Sequence, residues 1–239
     1  MKAPPPFTVV YEDDCLIAVN KASGISVGGD RWDPAQQRLD KLIAESIAAR
    51  VFTVHRIDRD TSGLVIFAKN TAAHRRLSLA FEGKGVIKRY LAVVRGRPPW
   101  KETVCNLPLI PNGNKQHLTI IDKFRGKKSL TRFVLRTGIN NYSILEALPE
   151  TGRTHQIRVH AAALGFPIVC DSLYGSPKPI LLSSIKKNWR GDPLDEKPLL
   201  ARLGLHALEL TLPSGDSTIN LNAPLPRDMA ALLKQLDKL

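Results

Sequence analysis

The 239-residue chain is long enough for one large domain or two small ones, and a chain of that length buries most of its unfolded surface without disulfide staples. Its 43% hydrophobic and 24% charged residues exclude a disordered or collagen-like protein, and no apolar run approaches the roughly 18 residues of a membrane span. The net charge of +13 is concentrated: residues 51–140 hold 18 basic against 5 acidic residues, while the segments on either side come to −1 and +1.

In chain order, VVYEDDCLIAVNKASG reads as a hairpin, apolar then acidic turn then apolar, punctuated by Ser23-Gly24. Asp33 and Pro34 supply an N-cap and an N1 proline for an amphipathic helix over 34–50, with Leu39, Leu42, Ile43 and Ile47 at helical spacing. VFTV and LVIFAK (64–69) are strands flanking the polar stretch HRIDRDTSG. Asn70 caps a helix carrying Ala73, Leu77 and Phe81 on one face, with Gly83 past its end. GVIKRYLAVVRG alternates, placing Val86, Lys88, Tyr90, Ala92 and Val94 on one face; strands continue at TVCNL, HLTII, SLTRFVL and YSILEAL, with turns at Gly113-Asn114 and Gly138 to Asn141.

Thr154 is expected to cap a helix with Ile157, Ala161 and Leu164 as its stripe and Gly165 as its stop. Residues 175–198, rich in Pro, Lys and Gly, read as an excursion loop with a short helix through Leu181, Ile185 and Trp189. LHALEL and STINLN flank Pro-Ser-Gly-Asp as a last hairpin, and Pro226 opens a helix with Met229, Leu232, Leu233 and Leu236 inward. No period of 20–50 residues recurs. Strands joined by hairpins with few helices between them predict an α+β fold: a mixed, mainly antiparallel central sheet with flanking helices.

A charge excess confined to one stretch points to a polyanionic partner, of which nucleic acid is the usual one. The lysines and arginines fall in strand and loop patterns, which argues against a membrane-surface helix. HRIDRDTSG between two buried-looking strands is either a solvated turn or a presented catalytic loop. In TGRTHQIRVH, Arg153 and Arg158 lie near a helix N-terminus, where the dipole disfavours cations, so they want a carboxylate or a phosphate. Metal chemistry has little support, because there is no CxxC pair and His155 and His160 are off the i, i+4 face. No GxxxxGK[ST] or GxGxxG cradles a nucleotide. Asp58-x-Asp60 matches a phosphoryl-transfer motif only in part, since Ser62 stands where that motif has Thr.

HRIDRDTSGLVIFAKN, KRYLAVVRG and TGRTHQIRVHAAALGFPIVCDSLYG, in that order, resemble the core motifs of the RluA-type pseudouridine synthases, and YEDDCLIAVNKASG and LHALELTLPSG with APLP are also similar to that family. The resemblance covers residues 8–235 and implies a single catalytic domain over 1–239, with 175–198 as a variable loop and an RNA-binding cleft. It implies isomerisation of uridine in structured ribosomal or transfer RNA by one aspartate without cofactor or metal. Carried over, Asp58 is the nucleophile, Tyr90 lies against the target base and helps move the C5 proton, and Arg158, in preference to Arg153, is the partner of the aspartate. Arg56 resembles the residue that fills the gap left by the flipped base, and Arg153, His155, Lys127 and Lys128 complete the expected RNA contacts. Physical chemistry agrees: a uridine must leave its stack before a side chain reaches it, and an arginine keeps a desolvated aspartate ionised.

The chain departs from the family pattern at Ala22, where proline is usual in NKPxG, and at Phe166 and Cys170, where LGHPIxGD has His and Gly. These put loop geometry and substrate fit in question, not the reaction. Many relatives carry a small N-terminal RNA-binding domain; without one here, target choice is expected to come from the catalytic domain, including 112–136 and 175–198. Tyr90 alone would read as a sheet-core residue, and Lys127, Lys128 and Arg132 as a solvated strand edge. The competing function is a basic RNA-binding protein that has kept the fold without the reaction. Such a protein would tolerate loss of Asp58, and this chain has Asp58, Tyr90 and both arginines, which favours the enzyme. Three dispersed cysteines and the lack of a signal-peptide core in MKAPPPFTVVYEDD predict a cytoplasmic protein, expected to be a monomer.

Overall fold

The structure is a computed structural model that describes residues 5–29, 36–83, 85–114, 118–186, 188–214 and 217–236. In chain order its elements are β1 (Phe7–Glu12), β2 (Leu16–Lys21), α1 (Leu39–Ser46), β3 (Phe52–Thr53), β4 (Ser62–Ala68), α2 (Thr71–Glu82), β5 (Ile87–Arg95), β6 (Glu102–Cys105), β7 (Leu109–Ile110), β8 (Ile120–Ile121), β9 (Thr131–Ile139), β10 (Tyr142–Pro149), α3 (Gln156–Ala163), β11 (Leu205–Ser214), β12 (Ser217–Asn222) and α4 (Arg227–Leu236). The fold is α+β with mainly antiparallel pairing. The chain divides into two compact units: 1–89 with 206–224, and 90–205 with 225–239.

In the first unit the strand order is β1-β2-β4-β11, with β12 beside β11 and β3 beside β4. All pairs are antiparallel except β11 with β4, which runs parallel through His206↔Ser62 and Ala207↔Gly63. Every residue of β4 is buried, as an unbroken apolar run predicts for a strand covered on both faces. Its Leu64, Ile66 and Ala68 join Leu16 and Ala18 of β2 and Ala73 and Leu77 of α2 in one core. Asn70 caps α2 as its sequence predicts, its side chain accepting from the Ala73 amide at 2.8 Å. Helix α1 is shorter than the expected 34–50. Its approach is extended, with the Leu39 and Asp40 amides donating to the carbonyls of Ser26 and Val27, so the helix opens only at Leu39. Asp33 and Pro34 lie outside the described residues.

In the second unit β5, β10, β9 and β6 are neighbours in that order, all antiparallel. Ala92 and Val94 of β5 pack in one core with Phe133, Leu145 and Ile157, and Val93 faces another with Met229, Leu232 and Leu236 of α4. Both faces of β5 are therefore buried there, against an expected alternation. HLTII contributes only the short β8, paired with β7. Two further expectations are corrected. The described residues of 175–198 form turns, with no helix assigned among them: the Ser184 amide donates to the Leu181 carbonyl and the Ile185 and Lys186 amides to that of Leu182, a single turn that does not continue, while Ile180 bridges to Leu200 and the Ser183 amide and hydroxyl both donate to the Glu196 carboxylate. Thr154 does not cap α3. The helix starts at Gln156, after His155 in a left-handed turn at φ 53°, and the Gln156 side chain itself accepts from the Arg153 amide at 3.0 Å.

Candidate active site

Asp58 lies in the first unit, in the loop between β3 and β4, half-buried at the start of a turn closed by the Thr61 amide on the Asp58 carbonyl at 3.2 Å. Arg56, two residues earlier, is exposed. The turn is held from outside. Lys21, 1% exposed, donates from Nζ to the carbonyls of Ala22, Ile25 and Arg59 at 2.8–2.9 Å. Ser23 Oγ donates to the Asp60 carbonyl, and the Gly24 amide to that of Arg59. The NKASG segment is thus a clamp on the loop that carries Asp58; the sequence shows it only as turn punctuation, with a lysine at the end of an apolar strand as its one signal. Ala22 uses its freedom from proline, since its amide donates to the Pro6 carbonyl at 2.9 Å.

The far end of the loop is fixed by β4. Gly63 has φ +113°, and a Cβ on it would collide with the carbonyl oxygen of Ala207 and lie 2.6 Å from its nitrogen. Ser62 Oγ is 2.9 Å from His206 Nδ1, and His206 Nε2 is 3.1 Å from the Ala223 carbonyl. A carbonyl only accepts, so Nε2 carries the proton and Ser62 donates to Nδ1.

Tyr90, Arg158, Arg153, His155, Lys127 and Lys128 all belong to the second unit. Tyr90 sits on β5 opposite Ala147 of β10, half-buried against that unit's core. Arg158 is on the first turn of α3, and its side chain is 3% exposed. The anion its position calls for is Asp171, which accepts from Nε at 2.9 Å and Nη2 at 2.7 Å. Asp171 also accepts from the Leu173 and Tyr174 amides. Burial would raise the Asp171 carboxyl, but the guanidinium and the two amides outweigh it and hold its pKa below the usual carboxylate value. The Tyr174 ring lies 5.2 Å from the Arg158 guanidinium, and its hydroxyl is 2.8 Å from His155 Nδ1 and accepts from the Thr119 amide.

Behind this face Gln156 is fully engaged. It accepts from Thr151 Oγ1 and the Arg153 amide, and donates to the Leu130 carbonyl and Thr131 Oγ1. Arg153 donates from Nε to the Lys128 carbonyl, which brings Arg153 and the exposed pair Lys127–Lys128 onto one surface. No local pattern marks Asp171, Tyr174 and Gln156 as partners of these residues; an aspartate directly after the buried run PIVC is the one signal the sequence offers. Cys170, in place of the family's glycine, adopts φ 57°, the left-handed conformation that glycine takes without strain. Phe166, in place of histidine, packs edge-on to Trp100 at 5.8 Å. Among the described residues no group of three or more His, Cys, Asp or Glu is placed to hold a metal ion, and no helix is long and apolar enough to cross a membrane.

Comparison with known proteins bears on the same segments. The family profile for RNA pseudouridylate synthase matches residues 15–163. Ribosomal large subunit pseudouridine synthase D of Zymomonas mobilis is 33% identical, the match covering 97% of this chain and 73% of that one. Ribosomal large subunit pseudouridine synthase C of Haemophilus influenzae is 37% identical over 95% of this chain and 68% of its own. Of solved structures, human RNA pseudouridylate synthase domain containing 4 has a TM-score of 0.73 at 23% identity, over 96% of this chain and 92% of that one, and shows the shared fold. Human RNA pseudouridylate synthase domain containing 1 has a TM-score of 0.69 at 25% identity, over 100% and 98%. A profile match that takes in both HRID and QIR, joined to identity sustained over nearly the whole chain, means that this chain belongs to the RNA pseudouridine synthases, isomerases that act on RNA.

Proposed function

We propose that the chain converts uridine to pseudouridine in large-subunit ribosomal RNA, with Asp58 as the nucleophile. The observation that carries this reading is the loop of Asp58: a half-buried carboxylate on a turn clamped by a buried lysine on one side and by a glycine-tight strand on the other. A reacting group must be held in place to act, and the clamp supplies that rigidity. The RNA class rests on the ribosomal relatives. The roles of Tyr90 against the base, Arg158 as the cation assigned to the aspartate and Arg56 as the side chain replacing the flipped base come from the family resemblance. Arg153, His155, Lys127 and Lys128 are RNA contacts in this reading. The reaction exchanges the N1–C1′ bond of uridine for a C5–C1′ bond and moves one proton from C5 to N1, so atoms and electrons balance without a co-reactant. The chain works in the cytoplasm as a monomer, one domain in function.

The test is a pair of variants in one loop. Asp58→Asn keeps the shape of the side chain and removes the anionic nucleophile; Asp60→Asn makes the same change at an exposed neighbour. In ribosomal RNA from a strain lacking the native protein, Asp60→Asn is expected to restore pseudouridine and Asp58→Asn to form none while binding RNA normally. Pseudouridine made by the Asp58 variant at a measurable rate would place the nucleophile elsewhere.

A further inference from the structure

Phe124 is 98% exposed, the most exposed large hydrophobic side chain among the described residues. Single exposed hydrophobes are ordinary on soluble proteins, but this one is presented. It sits in a tight turn over 122–126, where Asp122 accepts from the amides of Phe124 and Arg125 and from Arg125 Nε, each at 2.9 Å. The Gly126 amide donates to the Asp122 carbonyl. Only glycine fits at 126, since a Cβ would run into that carbonyl and lie 2.8 Å from Pro108. Both ends of the turn are pinned at the start of β7: the Asp122 amide donates to the Pro108 carbonyl, and Lys127 and Leu109 bond to each other by a pair of backbone bonds. Lys123, Arg125, Lys127 and Lys128 lie within four residues of Phe124 in the chain, all exposed, and Asp122 is spent inside the turn on Arg125 and the two amides.

An exposed aromatic ring on a hydrogen-bonded turn, in a stretch rich in exposed lysine and arginine, suits an unpaired base: the π-face stacks and the cations take the flanking phosphates. We propose that the 122–128 turn is an RNA contact in which Phe124 stacks on an unpaired base of the substrate, so that this protein selects loops and bulges over continuous duplex. The proposal deepens the RNA-modifying function above and rests on it. Because the backbone of the turn is held by its own hydrogen bonds, less ordering is spent on binding.

The experiment uses the full chain at low salt, with a short RNA hairpin carrying an unpaired loop and a fully paired duplex of the same stem as probes, read by fluorescence anisotropy. Phe124→Ala is expected to weaken hairpin binding about five- to a hundredfold, the loss of one stacked base, and to leave duplex binding unchanged. Phe124→Trp is expected to restore the hairpin affinity, whereas Phe124→Leu, apolar but without a π-face, does not. Equal losses on hairpin and duplex, a leucine variant that binds like the native chain, or an alanine variant that changes sedimentation and not RNA affinity would each overturn the proposal. A native chain that binds neither RNA overturns the functional reading with it; native binding unaffected by Phe124→Ala overturns the contact alone.

Discussion

His55, three residues before Asp58, has both ring nitrogens buried, and neither meets hydrogen-bond geometry with a partner among the described residues. Its ring stacks on Phe81 with centroids 4.4 Å apart. Burial, together with the nearby Lys88 ammonium, pushes its pKa from 6.5 down to about 3. The unfolded chain therefore takes up a proton as pH falls below 6.5, and the folded chain does not until about 3. Above that window His55 contributes no pH dependence; within it stability falls by up to one proton's worth, about 1.4 kcal/mol per pH unit. His55→Phe keeps the stack and removes the titration. Urea unfolding at pH 7 and at pH 5 is expected to show the native chain losing more stability than the variant across that step. Parallel losses would mean that His55 titrates normally. At this scale the sequence was partly legible. A polar stretch between two apolar strands marks the loop of Asp58, and a helix N-terminus marks Arg153 and Arg158 as cations in want of an anion, but the choice of Asp58 and Arg158 comes from the family resemblance. The burial of His55 against Phe81 and the bond from Lys21 to the Arg59 carbonyl join residues distant in sequence, which no local pattern encodes.

At the level of elements, what is local was legible. Asn70 caps α2 because cap and helix are consecutive in the chain. The apolar run of β4 announced a strand buried on both faces. Helix starts fixed by tertiary partners were missed: α1 waits for the carbonyls of Ser26 and Val27, and α3 is capped backwards by Gln156. Gly63 shows the same limit. SG after an aspartate reads as turn chemistry, yet this glycine lies on a strand, at φ +113°, against the backbone of Ala207. Alanine there brings backbone strain of about 1–2 kcal/mol, and overpacking adds about 1–3 kcal/mol more. Gly63→Ala is expected to lower the urea midpoint accordingly, whereas Gly152→Ala, with open space around it, is not. An alanine at 63 that leaves the midpoint in place would show that β11 yields easily and that the loop of Asp58 is not fixed from this side.

At the scale of the whole molecule the charge is unequally shared. The first unit holds 14 basic and 12 acidic residues, and the second 21 and 10, so nearly all of the net +13 belongs to the unit that carries Lys127, Lys128 and Arg153. The sequence located this excess only as a stretch, 51–140, because the chain leaves the first unit at residue 90 and that boundary has no local mark. If phosphates are held by the second unit, removing charge from it lowers both RNA affinity and the salt dependence of that affinity, since each phosphate contact releases counterions and adds about 0.7–0.9 to the slope of log K against log salt. Lys127→Gln with Lys128→Gln is therefore expected to reduce the slope by up to two contacts. Arg75→Gln with Arg76→Gln removes the same charge from exposed positions on α2, in the nearly neutral unit, and is expected to leave the slope where it is. Anisotropy titrations of one ribosomal RNA fragment over a salt series compare the two pairs directly. Equal reductions would show that RNA responds to net charge alone; a reduction confined to the α2 pair would move the phosphate track to the first unit and remove the basis for reading 122–128 as part of it.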